Sequence, residues 1–272
     1  MPKILKTVPG RMALKTVSRP WISKIIGKFL DTKASVILIK GFKKRKQIDM
    51  TDVEIKKWRS FNDFFMRKLK PDARKIDYDP NSLISPCDGY LKAVTITDGC
   101  TVTVKDVPYS INELLHSQQL ATHYEGGTCL IFRLSPADYH RYIYPVSGKK
   151  FEDIDIPGRF QTVRPVATTS FPVFVQNTRT YSVIKDEIFG PVAFMQVGAL
   201  LVGRIVNENP DETYVTRGVE AGHFEFGGST IIMILEKGRA ELTDIIKKAS
   251  AYGEEIQVRL GQKVAERISC PR

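Results

Sequence analysis

Ser229 follows two glycines in the run Phe226-Gly227-Gly228-Ser229-Thr230 and opens an apolar stretch that reaches Leu235. A hydroxyl placed directly after a glycine can reach the carbonyl of the peptide bond between them, and glycine leaves room for that approach. The chemistry this allows is attack of the chain on its own backbone. Gly-Gly-Ser is also an ordinary turn sequence, so the segment gains meaning only from other reactive groups. Two segments offer them. Ser85-Pro86-Cys87-Asp88-Gly89 carries a carboxylate, and the polar stretch Arg133 to Tyr142 carries the imidazole of His140. Singly, Asp-Gly before a strand is usually a turn, and a lone histidine is more often structural than catalytic. Together, acid, imidazole and hydroxyl make a set in which a base activates a nucleophile and an acid orients the base.

These groups need a scaffold that brings distant segments together. Ile231 to Leu235 is short, continuous and Ile-rich, which predicts a buried strand. Further strands are expected at Tyr90–Thr97, Thr101–Val104, Thr128–Leu134, Thr180–Lys185, Pro191–Val197, Leu200–Asn207 and Ile256–Leu260. Between them only Ile111–His116 and Leu242–Ser250 read as helices, the second closed by Gly253. This texture predicts an α+β fold with a β-dominated domain over residues 76–272. Residues 1–75 read as helical. Apolar residues at helical spacing with interleaved lysines mark 12–30, where Trp21, Ile25, Lys28 and Phe29 share a stripe. Thr51-Asp52-Val53-Glu54 has the spacing of a capping box, predicting a helix through Leu69 that stops before Pro71.

Charge separates the same two regions. The chain of 272 residues has a net charge of +11, but residues 1–75 hold 21 Lys and Arg against 6 Asp and Glu. The remainder holds 20 against 24 and is slightly acidic. A basic arm of this kind suits phosphates, of anionic lipid or of nucleic acid. The amphipathic 12–30 segment followed by Lys43-Lys44-Arg45-Lys46 favours a lipid surface, and no nucleic-acid motif accompanies it. No apolar run approaches the ~20 residues of a spanning helix, and the N-terminus lacks the apolar block of a signal peptide. Cys87, Cys100, Cys129 and Cys270 form no C-x-x-C pair and no zinc spacing with the histidines. They read as reduced, packed thiols, and no metal site is expected.

Several motifs occur in one family's order: Ser60 to Leu69, Ser85-Pro86-Cys87-Asp88-Gly89, Asp138-Tyr139-His140-Arg141, Val197-Gly198-Ala199, Val202-Gly203 and Phe226 to Thr230. With them the chain resembles the phosphatidylserine decarboxylase proenzymes from about Ser60 onward. The resemblance implies a pyruvoyl enzyme that cleaves itself between Gly228 and Ser229. The Ser229 hydroxyl attacks the Gly228 carbonyl, the resulting ester eliminates, and residue 229 becomes a covalent pyruvoyl cofactor with loss of ammonia. That group forms a Schiff base with the amine of phosphatidylserine and accepts electrons as carbon dioxide leaves. It also implies a heterodimer of the cleaved β and α chains, compatible with a dimer of these, peripheral on the cytoplasmic face of an anionic membrane.

By the same resemblance Ser229 is the nucleophile and pyruvoyl precursor, Asp88 the acid of the self-cleavage triad, and His140 the histidine of decarboxylation. The family commonly has a second histidine as triad base where this chain has Ile143. Three readings stay open: His140 serves both steps, which is favoured; His223 contributes; or the chain processes slowly or not at all. The competing functions are a pyruvoyl decarboxylase of a soluble amino acid and a catalytically silent lipid-binding relative.

Overall fold

A computed structural model describes residues 20–54, 57–104, 107–158, 173–198, 204–227 and 229–268. The N-terminal part is helical, with α1 (Pro20–Leu30), a single 3₁₀ turn at Lys33–Val36, α2 (Ile37–Lys46) and the one-turn α3 (Phe61–Phe65). Proline at the first position of α1 sacrifices no intrahelical hydrogen bond. Residues 12–19 of the expected 12–30 helix lie outside the described residues. Leu30, Ile39, Phe42, Phe61, Phe64 and Phe65 form a buried cluster beneath these helices.

The long helix expected from Thr51 to Leu69 is not formed. Asp49 accepts from both the N–H and the hydroxyl of Thr51, at 2.9 and 2.6 Å, and so takes the N–H that Glu54 would accept in a capping box. Residues 52–54 instead run extended beside 68–70, with Glu54 N–H donating to Lys68 at 2.9 Å and Lys70 N–H to Asp52 at 2.8 Å. The reciprocal cap sits at α3. Ser60 Oγ accepts from Asp63 N–H at 3.1 Å, and Asp63 accepts from Arg59 N–H at 2.9 Å.

The rest is dominated by strands, as expected. β1 (Ser82–Ile84) and β2 (Gly89–Thr95) flank the turn that carries Asp88, and β3 (Thr101–Val104) pairs with β4 (Val107–Ser110). Helices α4 (Ile111–Leu115) and α5 (Gln118–His123) lead to β5 (Thr128–Leu134). The short β6 (Arg141–Ile143), β7 (Gly148–Lys150) and β8 (Ile154–Ile156) follow. After α6 (Val173–Gln176) come β9 (Arg179–Asp186), β10 (Gly190–Gly198), β11 (Ile205–Asn207), β12 (Thr213–Val215) and β13 (Glu220–Phe224). The last elements are β14 (Ser229–Leu235), β15 (Ala240–Leu242), α7 (Asp244–Ala251), β16 (Ile256–Val258) and β17 (Lys263–Arg267). Residues 200–203, the start of one expected strand, lie outside the described residues.

A nine-stranded antiparallel sheet in the order β12-β7-β9-β10-β14-β5-β2-β16, with β8 also on β9, organises the described residues. β14 is its centre, paired with β10 on one side and β5 on the other, and every residue of it is buried. Ile231, Met233 and Leu235 face one apolar cluster, while Ile232 and Ile234 face a second on the opposite side. Burial on both faces explains why the strand reads as a continuous apolar run instead of alternating. Each of these five side chains contributes about 1.5–3 kcal/mol by burial, so β14 is gripped along its whole length.

Candidate active site

The ends of adjacent strands assemble the site. Ser229, the first residue of β14, pairs with Leu134 at the end of β5 and with Gly198 at the end of β10. β2 begins on the other side of β5, so the Asp88 turn opens at the same end of the sheet. There Gly89 packs against β5 so closely that a Cβ on it would lie 2.7 Å from the Arg133 carbonyl oxygen.

Beyond Leu134 the chain turns sharply. Asp138 N–H donates to the Ser135 carbonyl at 2.9 Å, and Ser135 N–H donates back to the Asp138 carboxylate at 2.6 Å. This turn returns the chain so that His140 lies against Ser229. His140 Nδ1 is 3.1 Å from Ser229 Oγ, and its Nε2 is 3.0 Å from the Ser135 carbonyl oxygen. A carbonyl can only accept, so Nε2 carries the proton. Nδ1 is then bare in the neutral ring and accepts from the Ser229 hydroxyl. Both side chains are fully buried.

Burial pushes the His140 pKa down to about 3, assisted by the charge of Arg67 and opposed by the Ser135 carbonyl. The ring is therefore neutral at ordinary pH. Phe65 covers it, with ring centroids 4.1 Å apart and planes inclined by 33°. Phe226, just ahead of the Gly-Ser bond, packs edge-on against Phe42, Phe61 and Phe65. Its N–H donates to Asn62 at 3.2 Å. The N-terminal helices thus form one wall of the site.

Asp88 does not hydrogen-bond to His140. Arg74 donates to its carboxylate from Nε and from Nη2, at 3.0 and 2.7 Å, and Leu260 N–H donates at 2.8 Å. The paired carboxylate holds the arginine charged, its pKa raised mainly by these hydrogen bonds. The negative charge of Asp88 acts on Asp138, whose pKa rises chiefly through burial. Ile143, at the other expected base position, sits in a small apolar cluster with Ile84 and Leu260, against Ile76 and Tyr139. His223 lies on β13, half-buried, with its Nδ1 4.0 Å from a Glu208 carboxylate oxygen. Its pKa falls to about 4, mainly through burial. Of the two histidines that could supply a base, His140 is the one whose ring nitrogen lies on the serine hydroxyl.

Cys87, Cys100 and Cys129 are buried free thiols, and burial pushes Cys129 up to about 12. Cys270 lies outside the described residues. Nothing in the residue types hints that Phe65 covers the imidazole or that the Ser135 carbonyl orients it. A backbone carbonyl has no residue signature, and a Phe in an aromatic run reads as core.

A family model described as phosphatidylserine decarboxylase matches residues 61–266. The phosphatidylserine decarboxylase proenzyme of Ruminiclostridium cellulolyticum is 40% identical over 264 residues, 95% of this chain and 88% of the relative. The protein of the same name from Clostridium novyi is 40% identical over 256 residues, covering 93% and 87% respectively. Phosphatidylserine decarboxylase proenzyme 2 of Clostridium acetobutylicum is 38% identical over 265 residues, covering 97% and 90%.

Proposed function

The chain belongs to the phosphatidylserine decarboxylase family, and on that premise we propose that it is a proenzyme that cuts itself at Gly228-Ser229 and then converts phosphatidylserine to phosphatidylethanolamine and carbon dioxide. The observation that carries this reading is the buried Ser229 hydroxyl 3.1 Å from the bare nitrogen of His140.

In the self-cleavage step His140 Nδ1 takes the hydroxyl proton as Oγ attacks the Gly228 carbonyl carbon. The C–N bond breaks, the departing nitrogen of residue 229 takes the proton back from His140, and an ester replaces the amide. Loss of the Cα proton of residue 229 then expels the Gly228 carboxylate and leaves a dehydroalanine, which takes up water and releases ammonia. A base of such low pKa is a weak one, yet this reaction happens once per molecule and needs no rapid turnover. Phe65 and Phe226 keep bulk water from the ester, which would otherwise hydrolyse back to serine. Asp88 contributes as the anchored anion of the neighbouring turn, acting by charge on Asp138 while Arg74 and Leu260 hold it.

Ser229 suits a covalent pyruvoyl, being enclosed and placed where a new chain terminus would be held by β5 and β10. That group supplies a carbonyl that condenses with the substrate amine and draws electrons as carbon dioxide departs. Because β14 lies between strands that precede the cut, the two products remain one folded heterodimer. His140 Nδ1 is then placed to take a proton from the substrate ammonium as it condenses and to return it to the substrate carbon.

The N-terminal helices suit a bilayer. Ile25, Phe29, Ile37 and Leu38 are exposed, Ile37 to 82%, beside exposed Lys28, Lys33, Lys40 and Lys43. Apolar side chains at an interface with a lysine rim favour an anionic leaflet such as one rich in phosphatidylserine. A groove of about 400 Å³ between α1 and α2, lined by Leu30, Leu38, Phe42 and Phe226, runs from this surface to the segment before the cut. No helix among the described residues is long and apolar enough to cross a membrane. We place the protein on the cytoplasmic face of the membrane, peripherally. This surface favours a lipid over a soluble amino acid as substrate.

The test is intact-mass spectrometry beside a decarboxylation assay, on the wild type and on Ser229→Ala. Two fragments split after Gly228, the smaller beginning with a pyruvoyl, and carbon dioxide from phosphatidylserine vesicles are expected. Ser229→Ala stays whole and inactive. A wild-type chain that stays whole and inactive, or one that decarboxylates free serine as readily as the lipid, overturns the reading.

A further inference from the structure

We propose that Arg67, which follows α3, is a positioning residue for self-cleavage: it fixes the Ser135–His140 turn so that the bare nitrogen of His140 faces Ser229. The inference rests on the reading of His140 as the cleavage base.

Arg67 is 4% exposed. Its Nη2 donates to the carbonyls of Ala137 and Asp138, at 2.9 and 3.0 Å, and its Nη1 donates to Phe65 at 3.4 Å. Arg141 returns a bond to the Met66 carbonyl at 2.9 Å. The two segments are thereby stitched on both sides of the imidazole, whose face Phe65 covers. Among the described residues no carboxylate forms an ion pair with Arg67, and its Nε has no hydrogen-bond partner. A buried cation so poorly compensated is expensive compared with an apolar side chain of the same size. What the arginine provides is a rigid planar fork, with Nη2 on the two successive carbonyls of the turn and Nη1 on the Phe65 carbonyl, a fixed pair of directions that a lysine ammonium does not reproduce. The two successive carbonyls lie in the turn whose Ser135 oxygen fixes the proton on His140 Nε2.

Charge gives the arginine a second effect. The groups facing His140 are the Ser229 hydroxyl from β14, the Ser135 carbonyl from its own turn, and the Phe65 ring from α3. The Asp138 carboxylate in that turn is engaged by Ser135 N–H. Among the described residues Arg67 is the charged group that disfavours protonation of the ring, after burial itself.

The experiment follows cleavage of the full chain after a pulse of cell-free synthesis, by intact mass, in buffers from pH 2.5 to 8. Wild type, Arg67→Met and Arg67→Lys are compared, and folding is checked by thermal melting. Arg67→Met is expected to cleave at least tenfold more slowly at pH 7, with its acid limb moved to higher pH. Arg67→Lys keeps the charge and loses the fork, so it slows by a similar factor without moving the limb. Arg67→Met within twofold of wild type, or slowed equally at every pH, overturns the proposal. If Arg67→Met does not melt cooperatively, Arg67→Lys decides, and any result but a slower rate with an unmoved limb overturns it. A wild-type chain that never cleaves overturns the self-cleavage reading first, which separates the two failures.

Discussion

Replacing His140 with alanine removes the base and leaves Ser229 and the fold in place. General-base assistance is typically worth 10²–10⁴-fold in rate, or about 3–5 kcal/mol of barrier, and cleavage of His140→Ala should fall by that factor. The stability loss is separable. The substitution removes the stack on Phe65 and leaves the buried Ser229 hydroxyl without its ring partner, while Ser135 O keeps the Asp138 N–H at 2.9 Å. An orphaned buried hydroxyl and a partly collapsed cavity together cost about 2–4 kcal/mol. That fits inside the roughly 5–15 kcal/mol of an ordinary domain, so the variant should still melt cooperatively at a lower temperature. Measuring the fraction of full-length chain over time by intact mass, at pH 7 and below the melting transition, gives the rate. A folded His140→Ala chain that cleaves within threefold of wild type refutes the assignment and returns attention to His223.

Three further outcomes are expected. Phe65→Ala costs about 3–5 kcal/mol of stability and admits water to the ester. The smaller fragment should then carry an N-terminal serine in a measurable share of molecules, and an all-pyruvoyl product would remove the shielding role. Ile37→Glu with Leu38→Glu changes exposed side chains, so melting should be unchanged while co-sedimentation with phosphatidylserine vesicles falls at least tenfold; unaltered binding would exclude this edge as the docking surface. On uncleavable Ser229→Ala, stability to urea should decline as pH falls. His140 and His223 have folded pKa values of about 3 and about 4, below the ordinary ~6.5 of the unfolded chain. Both are neutral when folded, so the stability is present above about pH 6.5 and is lost as pH falls through the window down to the folded values. A urea midpoint that rises from pH 6.5 to pH 4 would contradict this burial.

The strands that matter most were legible because their chemistry is local. β5, β10 and β14 are long, apolar and β-branched or aromatic, and their expected and observed limits differ by two residues at most. Short strands such as β6, β7 and β13 were not legible, since three to five residues carry no clear period. Thr51–Glu54 misled because a capping box specifies residue types at a spacing, while Asp49 competes for the same Thr51 donors and nothing in the spacing reveals it. Of the site, Ser229 and His140 were identified as chemical groups and met in space. Asp88 was identified too, yet its carboxylate is taken by Arg74, fourteen positions upstream in the chain.

The sequence by itself determined that a hydroxyl follows a glycine at the head of a buried strand, and that the cationic charge gathers in the first 75 residues. Those are properties of order and composition. The tertiary structure alone decided that Nδ1 of His140 faces the hydroxyl, that a backbone carbonyl takes the orienting place, and that the N-terminal helices wall the site with Phe65 and Phe226. Each of these depends on a turn direction or a packing angle; the serine–histidine and helix–site contacts join segments tens of residues or more apart, and the Ser135 turn, though local, has a direction its residue types do not specify. The types of those residues leave such angles open until the sheet has brought the segments together.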